Sequence, residues 1–281
     1  MVYPVMKKRV FTPRQFRSYI FSWWKKNARD LPWRHTSDPY AILVSEVMLQ
    51  QTQVSRVLEK YEAFLGKYPT VFDLADAPTS GIIRDWKGLG YNRRALYLHR
   101  GALIVVEKYK GIFPESEAEL LSIPGIGKYT ARAILVFAFR HTVAMVDTNI
   151  RKIITHFFYD GRTQSESVIW ETAKRLVPKG KSWEWHQALM DYGALELWKQ
   201  TGNNTARSIK RTSTVPFRQT NRFLRGRILD ALRVCPRSDS ELVSEMAQIC
   251  KRPESVVRDA VSALIREGLC EQTGAVLSLP Q

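Results

Sequence analysis

Apolar residues recur three and four positions apart along most of this chain, in one segment after another. PRQFRSYIFSWWKKNARD, PYAILVSEVMLQQTQVSRVLEKYEAFLGKY, NRRALYLHRGALIVVEKYKG, KYTARAILVFAF, TNIRKIITHFF, SESVIWETAKRLV and WEWHQALMDYGALELW all carry the pattern. That spacing gathers apolar side chains on one face of a helix, whereas a half-buried strand needs strict alternation. Pro39, Gly66, Pro69, Gly88, Gly90, Gly111, Pro114 and Pro124 punctuate the segments and mark helix ends. The expectation is an all-α body of many short helices. A chain of 281 residues that is 44% hydrophobic has the material for one large or two modest domains, which argues against disorder for most of its length.

The pattern changes after the last of these segments. From Lys199 to Leu229 there are eight basic residues and no acidic one, with little periodicity before Phe217. This reads as a linker, either a solvated tether or a strap that tracks phosphates. Beyond it RGRILDALRV, SDSELVSEMAQIC and PESVVRDAVSALIREG read as helices, and LCEQTGAVLSLP as two short strands around Thr273-Gly274. Such a unit is winged-helix-like, a type that serves DNA and protein partners alike. The expected division is residues 1–198, a basic linker at 199–216, and the winged-helix-like domain at 217–281.

Charge narrows the partner. Lys and Arg number 43 against 27 Asp and Glu, a net +16 with a pI near 9.9, and a surplus of that size favours a polyanion. The cysteines, Cys235, Cys250 and Cys270, form no C-x-x-C pair, which points away from a disulfide framework or a zinc site and towards a reducing compartment. No secretory h-region and no apolar run of membrane-spanning length is present in the sequence, so the expectation is a cytoplasmic protein with no membrane partner.

Three local features could carry chemistry. In LLSIPGIGKYTARAIL a helix end meets a Pro-Gly-x-Gly turn and a new helix start. Gly125 and Gly127 permit close backbone approach, and the free amides that follow suit a phosphate; a helix–hairpin–helix gripping DNA without reading bases is the functional reading, an ordinary tight turn the structural one. Asp147, in AMVDTNIRKI, stands where an apolar run gives way to a helix, as an N-cap would. Glu46 is the one acid in PYAILVSEVMLQQTQV, which places it on a wet face or in a cleft at a raised pKa. Two carboxylates in unlike settings are what cleavage of a glycosidic bond asks for, one to protonate the leaving group and one beside the oxocarbenium ion.

LPWR at 31–34, SEVMLQQTQV at 45–54, GLGYNRRALYLHR at 88–100, IPGIGKYTA at 123–131, VDTNIRK at 146–152 and QALMDYGA at 187–194, taken in order, closely resemble the endonuclease III superfamily of DNA glycosylases. Within it the chain is most similar to MutY-type adenine DNA glycosylases, over about residues 14–198. The resemblance implies two all-α lobes, a DNA-binding cleft and a flipped target base. It makes Glu46 the general acid that protonates adenine at N7, Asp147 the carboxylate that stabilises or captures the sugar cation, and Asn149 its support. Tyr129 occupies the position where strand-cleaving relatives have a Schiff-base lysine, and a phenol cannot form that iminium, so base removal without efficient lyase activity is expected. Lys128 projects about 100° away from its neighbour Tyr129, towards phosphate. The resemblance places Leu31, Trp33, Arg34 and Gln187 around the adenine, and Gln51, Thr52, Leu89 and Tyr91 at the opposite strand or in the gap left by the flipped base.

Two departures accompany it. The family commonly follows L-M-D-x-G-A with four cysteines that hold an iron–sulfur cluster, and the matching stretch LELWKQTGNNTARSIKRTSTVP has none, so no cluster is expected, with Trp198 and helix packing or the basic linker in its place. MutY-type enzymes usually end in a Nudix-like domain, and residues 215–281 are too short and too helical for it. The leading expectation is a monomeric, monofunctional glycosylase that removes adenine opposite 8-oxoguanine or guanine in double-stranded DNA. A thymine or uracil mismatch glycosylase of the same fold is the alternative, and a non-catalytic DNA-binding protein a third.

Overall fold

The computed structural model describes residues 11–197, 199 and 216–281; Trp198 and residues 200–215, which include most of the expected basic linker, lie outside the described residues. The described chain is mostly helical and divides into two compact units. Among the described residues, the first comprises 11–42, 115–117, 127–197 and 199, the second 43–114, 118–126 and 216–281.

The first unit is built on helices α1 (Pro13–Asn27), α8 (Lys128–Phe137), α9 (Thr148–Tyr159), α10 (Glu166–Leu176) and α11 (Ser182–Leu195). Helix α1 starts at a capping box: Gln15 N donates to Thr12 Oγ1 at 3.3 Å and Thr12 N to Gln15 Oε1 at 3.0 Å, with Pro13 pre-set for the first turn. Its buried face, Phe16 and Ile20, meets α9 and α11 in an aromatic core. Phe16 lies 5.1 Å from both Phe157 and Phe158 and 5.8 Å from Trp185, centroid to centroid. Removing a fully buried Phe of this kind costs about 3–5 kcal/mol. Buried His186 accepts from Met145 N and bonds the Ser182 carbonyl, tying α11 to the segment that leads into α9.

The second unit contains α3 (Val54–Lys67), α4 (Val71–Asp76), α5 (Thr79–Asp85) and α6 (Arg93–Tyr109), with Trp86 and Leu74 wholly buried. The boundary between the units passes within α2 (Pro39–Leu49). PYAILVSEVMLQQTQVSRVLEKY, which reads as one helical segment without Gly or Pro after its first residue, contains a break: α2 stops at Leu49 and Gln51 takes φ +54 before α3 begins. A glutamine in that region costs about 1–2 kcal/mol of backbone energy, so other contacts must hold it. The short α7 (Glu117–Leu121) precedes the turn into α8.

Residues 217–281 belong to the second unit. Helices α12 (Asn221–Val234), α13 (Asp239–Cys250) and α14 (Glu254–Arg266) bury Leu224, Ile228, Leu242, Val243, Val257 and Leu264 together. The expected hairpin forms as β2 (Glu271–Thr273) and β3 (Val276–Ser278), and a third strand, β1 (Arg237–Ser238), joins it in the order β1-β3-β2, all antiparallel. A strand of two residues is too short to show alternation, so the sequence concealed it. Ile83 and Leu96 share this C-terminal core, which seats α12 on α5 and α6. Among the described residues no helix is long and apolar enough to cross a membrane.

Candidate active site and nucleic-acid interface

In the first unit, Leu31, Trp33, Arg34 and Gln187 are all buried. The segment that carries the first three folds as a 3-10 turn, Pro32–Arg34, and Asp191 of α11 anchors it. Arg34 grips the Asp191 carboxylate with two bonds, Nη1 to Oδ2 at 2.8 Å and Nη2 to Oδ1 at 2.6 Å; Arg29 Nε and Trp24 Nε1 add 2.6 and 2.9 Å bonds. Asp191 is wholly buried. Burial alone would raise its pKa, yet the hydrogen bonds and charge of Arg34 and the hydrogen bonds of Arg29 outweigh it and hold the carboxyl below its usual range. Both terminal nitrogens of Arg34 are thereby engaged, so its evident task is to fix the turn that presents Leu31 and Trp33.

Tyr129 lies in the first turn of α8, its Oη 3.7 Å from Met190 Sδ on α11. Asp147 is the N-cap of α9, accepting from Ile150 N at 2.6 Å. Burial raises its pKa, against the lowering effect of the cap amides of Ile150 and Asn149 and of the Lys152 charge. The cap fixes the carboxylate in place, and desolvation makes its charge costly. Asn149 follows two residues later, and Gly193 of α11 explains how the helices come so close, since a Cβ there would stand 2.7 Å from Asn149 Cβ.

In the second unit, Glu46 is buried on α2, a helix with no other charged residue. Gln51 and Tyr91 are exposed, Thr52 is half-buried, and Leu89 is buried. A residue that sequence reasoning passed over joins the two loops that carry them. The buried guanidinium of Arg94 donates from Nη1 to the carbonyls of Val47, Met48 and Gln50, and from Nη2 to Thr52 Oγ1 and the carbonyls of Leu89 and Gly90, all at 2.7–3.1 Å. It thus caps the C-terminal end of α2, where the helix dipole favours a cation, and fastens both Gln51 and the equally left-handed Tyr91, φ +46. Burial, partly offset by Tyr91 and reinforced by Arg222, brings its pKa down to about 10.

The turn between α7 and α8 has the features its glycines suggest. Gly125 takes φ +84, and a Cβ there would come within 2.9 Å of Tyr97 Cβ on α6. Gly127 is the N-cap of α8, whose first turn holds no acidic side chain, leaving its amides suited to an anion. Lys128 is exposed, its Nζ 4.9 Å from the centre of the Trp170 ring.

Comparison with known proteins adds to this geometry. A family model described as HhH-GPD superfamily base excision DNA repair protein matches residues 44–179. The chain is 37% identical over 193 residues to a thymine/uracil-DNA glycosylase of Methanothermobacter thermautotrophicus, covering 67% of this chain and 85% of that one. It is 33% identical over 277 residues to an adenine DNA glycosylase of Mycolicibacterium smegmatis, covering 90% and 92%. Among solved structures, a thermostable thymine-DNA glycosylase aligns with a TM-score of 0.61 at 37% identity, over 65% of this chain and 86% of that one. An endonuclease III trapped on DNA aligns with a TM-score of 0.57 at 21% identity, over 65% and 86%, a likeness of fold.

Proposed function

As the chain belongs to the HhH-GPD superfamily of base excision DNA repair proteins, we propose that this DNA glycosylase removes adenine mispaired with 8-oxoguanine or guanine. The observation that carries the choice of base is the extent of the adenine-glycosylase likeness. It runs over 90% of the chain, C-terminal region included, whereas the thymine/uracil relative covers 67%.

In this reading the extruded adenine stacks against Leu31 and Trp33, with Gln187 to bond its edge. Glu46 protonates N7, the bond from N9 to the sugar breaks, and the half-buried negative charge of Asp147 stabilises the oxocarbenium ion. Water then adds its hydroxyl to C1′ and returns a proton to Glu46. Asn149 keeps Asp147 in place. Tyr129 offers no amine, so the reaction stops at an abasic site. Gly125, Gly127 and Lys128 hold a backbone phosphate at the start of α8. Gln51, Thr52 and Tyr91 face the base left opposite; buried Leu89 supports them from beneath. The enzyme works without an iron–sulfur cluster: the chain has three cysteines against the four that such a cluster takes, of which Cys250 and Cys270 are buried in the C-terminal core.

The second reading, removal of thymine or uracil opposite guanine, is favoured by the 37% identity to the thymine/uracil enzyme. A panel of A:8-oxoguanine, A:G, G:T and G:U duplexes, scored for abasic sites with and without alkali, decides between them. Adenine release with breaks only after alkali is the expected result. Thymine release without adenine release supports the alternative, and equal breakage without alkali overturns the monofunctional assignment.

A further inference from the structure

The second unit contains a groove of about 810 Å³ between the start of α6 and helix α12, whose C-terminal wall the reaction just described does not use. Five arginines line it, Arg93, Arg94, Arg222, Arg225 and Arg233, against one lining carboxylate, Asp230. Buried Arg94 spends its terminal nitrogens on carbonyls and Thr52. Arg233 bonds Asp230 at 2.7 Å, and Arg225 bonds Glu267 at 2.6 Å. Arg93 donates to Tyr97 Oη at 2.7 Å and has the Glu267 carboxylate at 3.8 Å, whereas exposed Arg222 pairs with no carboxylate among the described residues: its guanidinium lies 4.2 Å from the centre of the Tyr91 ring and Nη1 donates to Tyr91 Oη at 3.1 Å. Its positive charge meets a neutral phenol and stays available. Phe217, 60% exposed, lines the same groove beside Gln50 and Gln51.

The groove is built and not incidental. Ile83 and Leu96 are buried in one core with Leu224, Ile228 and Leu229, and Arg84 Nε bonds the Arg233 carbonyl while Arg233 Nε bonds the Ile83 carbonyl. These contacts fix α12, and with it Arg222, against the loop that ends in Tyr91.

We infer that the C-terminal segment completes the DNA surface, with Arg222 bracing Tyr91 and offering a phosphate contact to the strand that carries the base opposite the excised one. The inference rests on the assignment of Gln51 and Tyr91 to that strand. Cationic side chains interleaved with an exposed aromatic suit a nucleic-acid backbone with bases at its edge, and an acidic peptide would have less use for Phe217. The groove is also continuous with Gln51 and Tyr91, which it shares as lining residues.

The test is fluorescence anisotropy of the full-length protein on a labelled duplex with a central abasic analogue opposite 8-oxoguanine, over a range of salt. Arg222→Ala is expected to weaken binding about tenfold and to lower the slope of log K against log salt by about 1, the signature of one lost phosphate contact. Arg222→Lys should keep the slope. Arg227→Ala, an exposed arginine on the same helix that does not line this groove, should change affinity less than about twofold. Thermal melts of each variant confirm folding. Affinity and slope unchanged in Arg222→Ala, or an equal loss in Arg227→Ala, overturns the inference, as does binding of an acidic peptide in place of the duplex. Binding is read without base release, so a protein that excises thymine and not adenine fails the function assignment and leaves this result standing.

Discussion

Arg34 and Arg94 are both buried, both bind through their two terminal nitrogens, and both have an Nε with no hydrogen-bond partner. They solve the problem of a buried cation differently. Arg34, in the first unit, is neutralised by the wholly buried Asp191, whereas Arg94, in the second, faces five loop and helix-end carbonyls and no carboxylate among its bonded partners. An ion pair defines one geometry and makes each partner depend on the other; a ring of carbonyl dipoles holds several chain segments without stranding a charge when it is broken. The pair therefore suits the rigid 3-10 turn that carries Leu31 and Trp33, the proposed base pocket. The dipole ring suits two loops, at Gln51 and Tyr91, whose left-handed backbones need an external restraint.

The contrast can be broken by mutation. Asp191→Asn should have the largest effect, about 3–5 kcal/mol in urea unfolding, because Arg34 and Arg29 lose their only bonded carboxylate in this cluster. Arg94→Met should cost less, about 1–3 kcal/mol, since it leaves carbonyls short of a donor but no buried charge. Equal losses in the two variants would dissolve the distinction. Replacing both partners, Arg34→Met with Asp191→Leu, should recover most of the stability lost in Asp191→Asn while activity stays low.

Acid titration sharpens it further. The depressed pKa of Asp191 means that its stabilisation is present above the unfolded carboxyl value, about 3.9, and is lost as pH falls below it. Arg94 contributes nothing in that range, so the Arg94→Met protein should keep the acid transition and the double variant should lose part of it. A separate window belongs to His186, whose pKa burial lowers to about 4. Its neutral folded form is costless above the unfolded value of about 6.5 and destabilising by about 3 kcal/mol at pH 4, where the unfolded chain has taken up a proton. His186→Gln should flatten stability between those limits, as measured by urea midpoints across pH.

Asp147 supplies the smallest expected change in stability and a third kind of desolvated charge, half-buried at a helix N-cap. Its pKa is raised, so its charged form destabilises the fold as pH rises above the unfolded value. Asp147→Asn keeps a good N-cap and removes that charge, so the melting temperature at pH 7 should stay level or rise while base release falls by about a hundredfold or more. A clear drop in melting temperature would reduce Asp147 to a structural cap.

Much of this was legible beforehand. The helices follow from three-and-four spacing, and the turn at Gly125 from its glycines, because these features are written in local pattern. The break after Leu49 was only half legible: Gln50 to Gln53 are all polar and interrupt the apolar period, but no Gly or Pro marks a stop, and Arg94, more than forty residues on, shows why the helix ends there. Arg94 and Asp191 stood inside GLGYNRRALYLHR and QALMDYGA, the motifs that carried the family resemblance, yet a buried arginine looks like a surface one until its partners are known. Gly193 is legible only as a close approach to Asn149, and Arg222 sat in a basic run that reads equally as tether or as strap.

The central claim is that a buried carboxylate on α2 delivers the proton that releases adenine. Single-turnover excision from an A:8-oxoguanine duplex by Glu46→Gln, set against the wild-type protein with binding of the same duplex measured in parallel, tests it most directly. Binding within a few-fold of wild type and a rate lower by at least about a hundredfold, the scale of a lost general acid, are the expected results. Undiminished adenine release would contradict the claim.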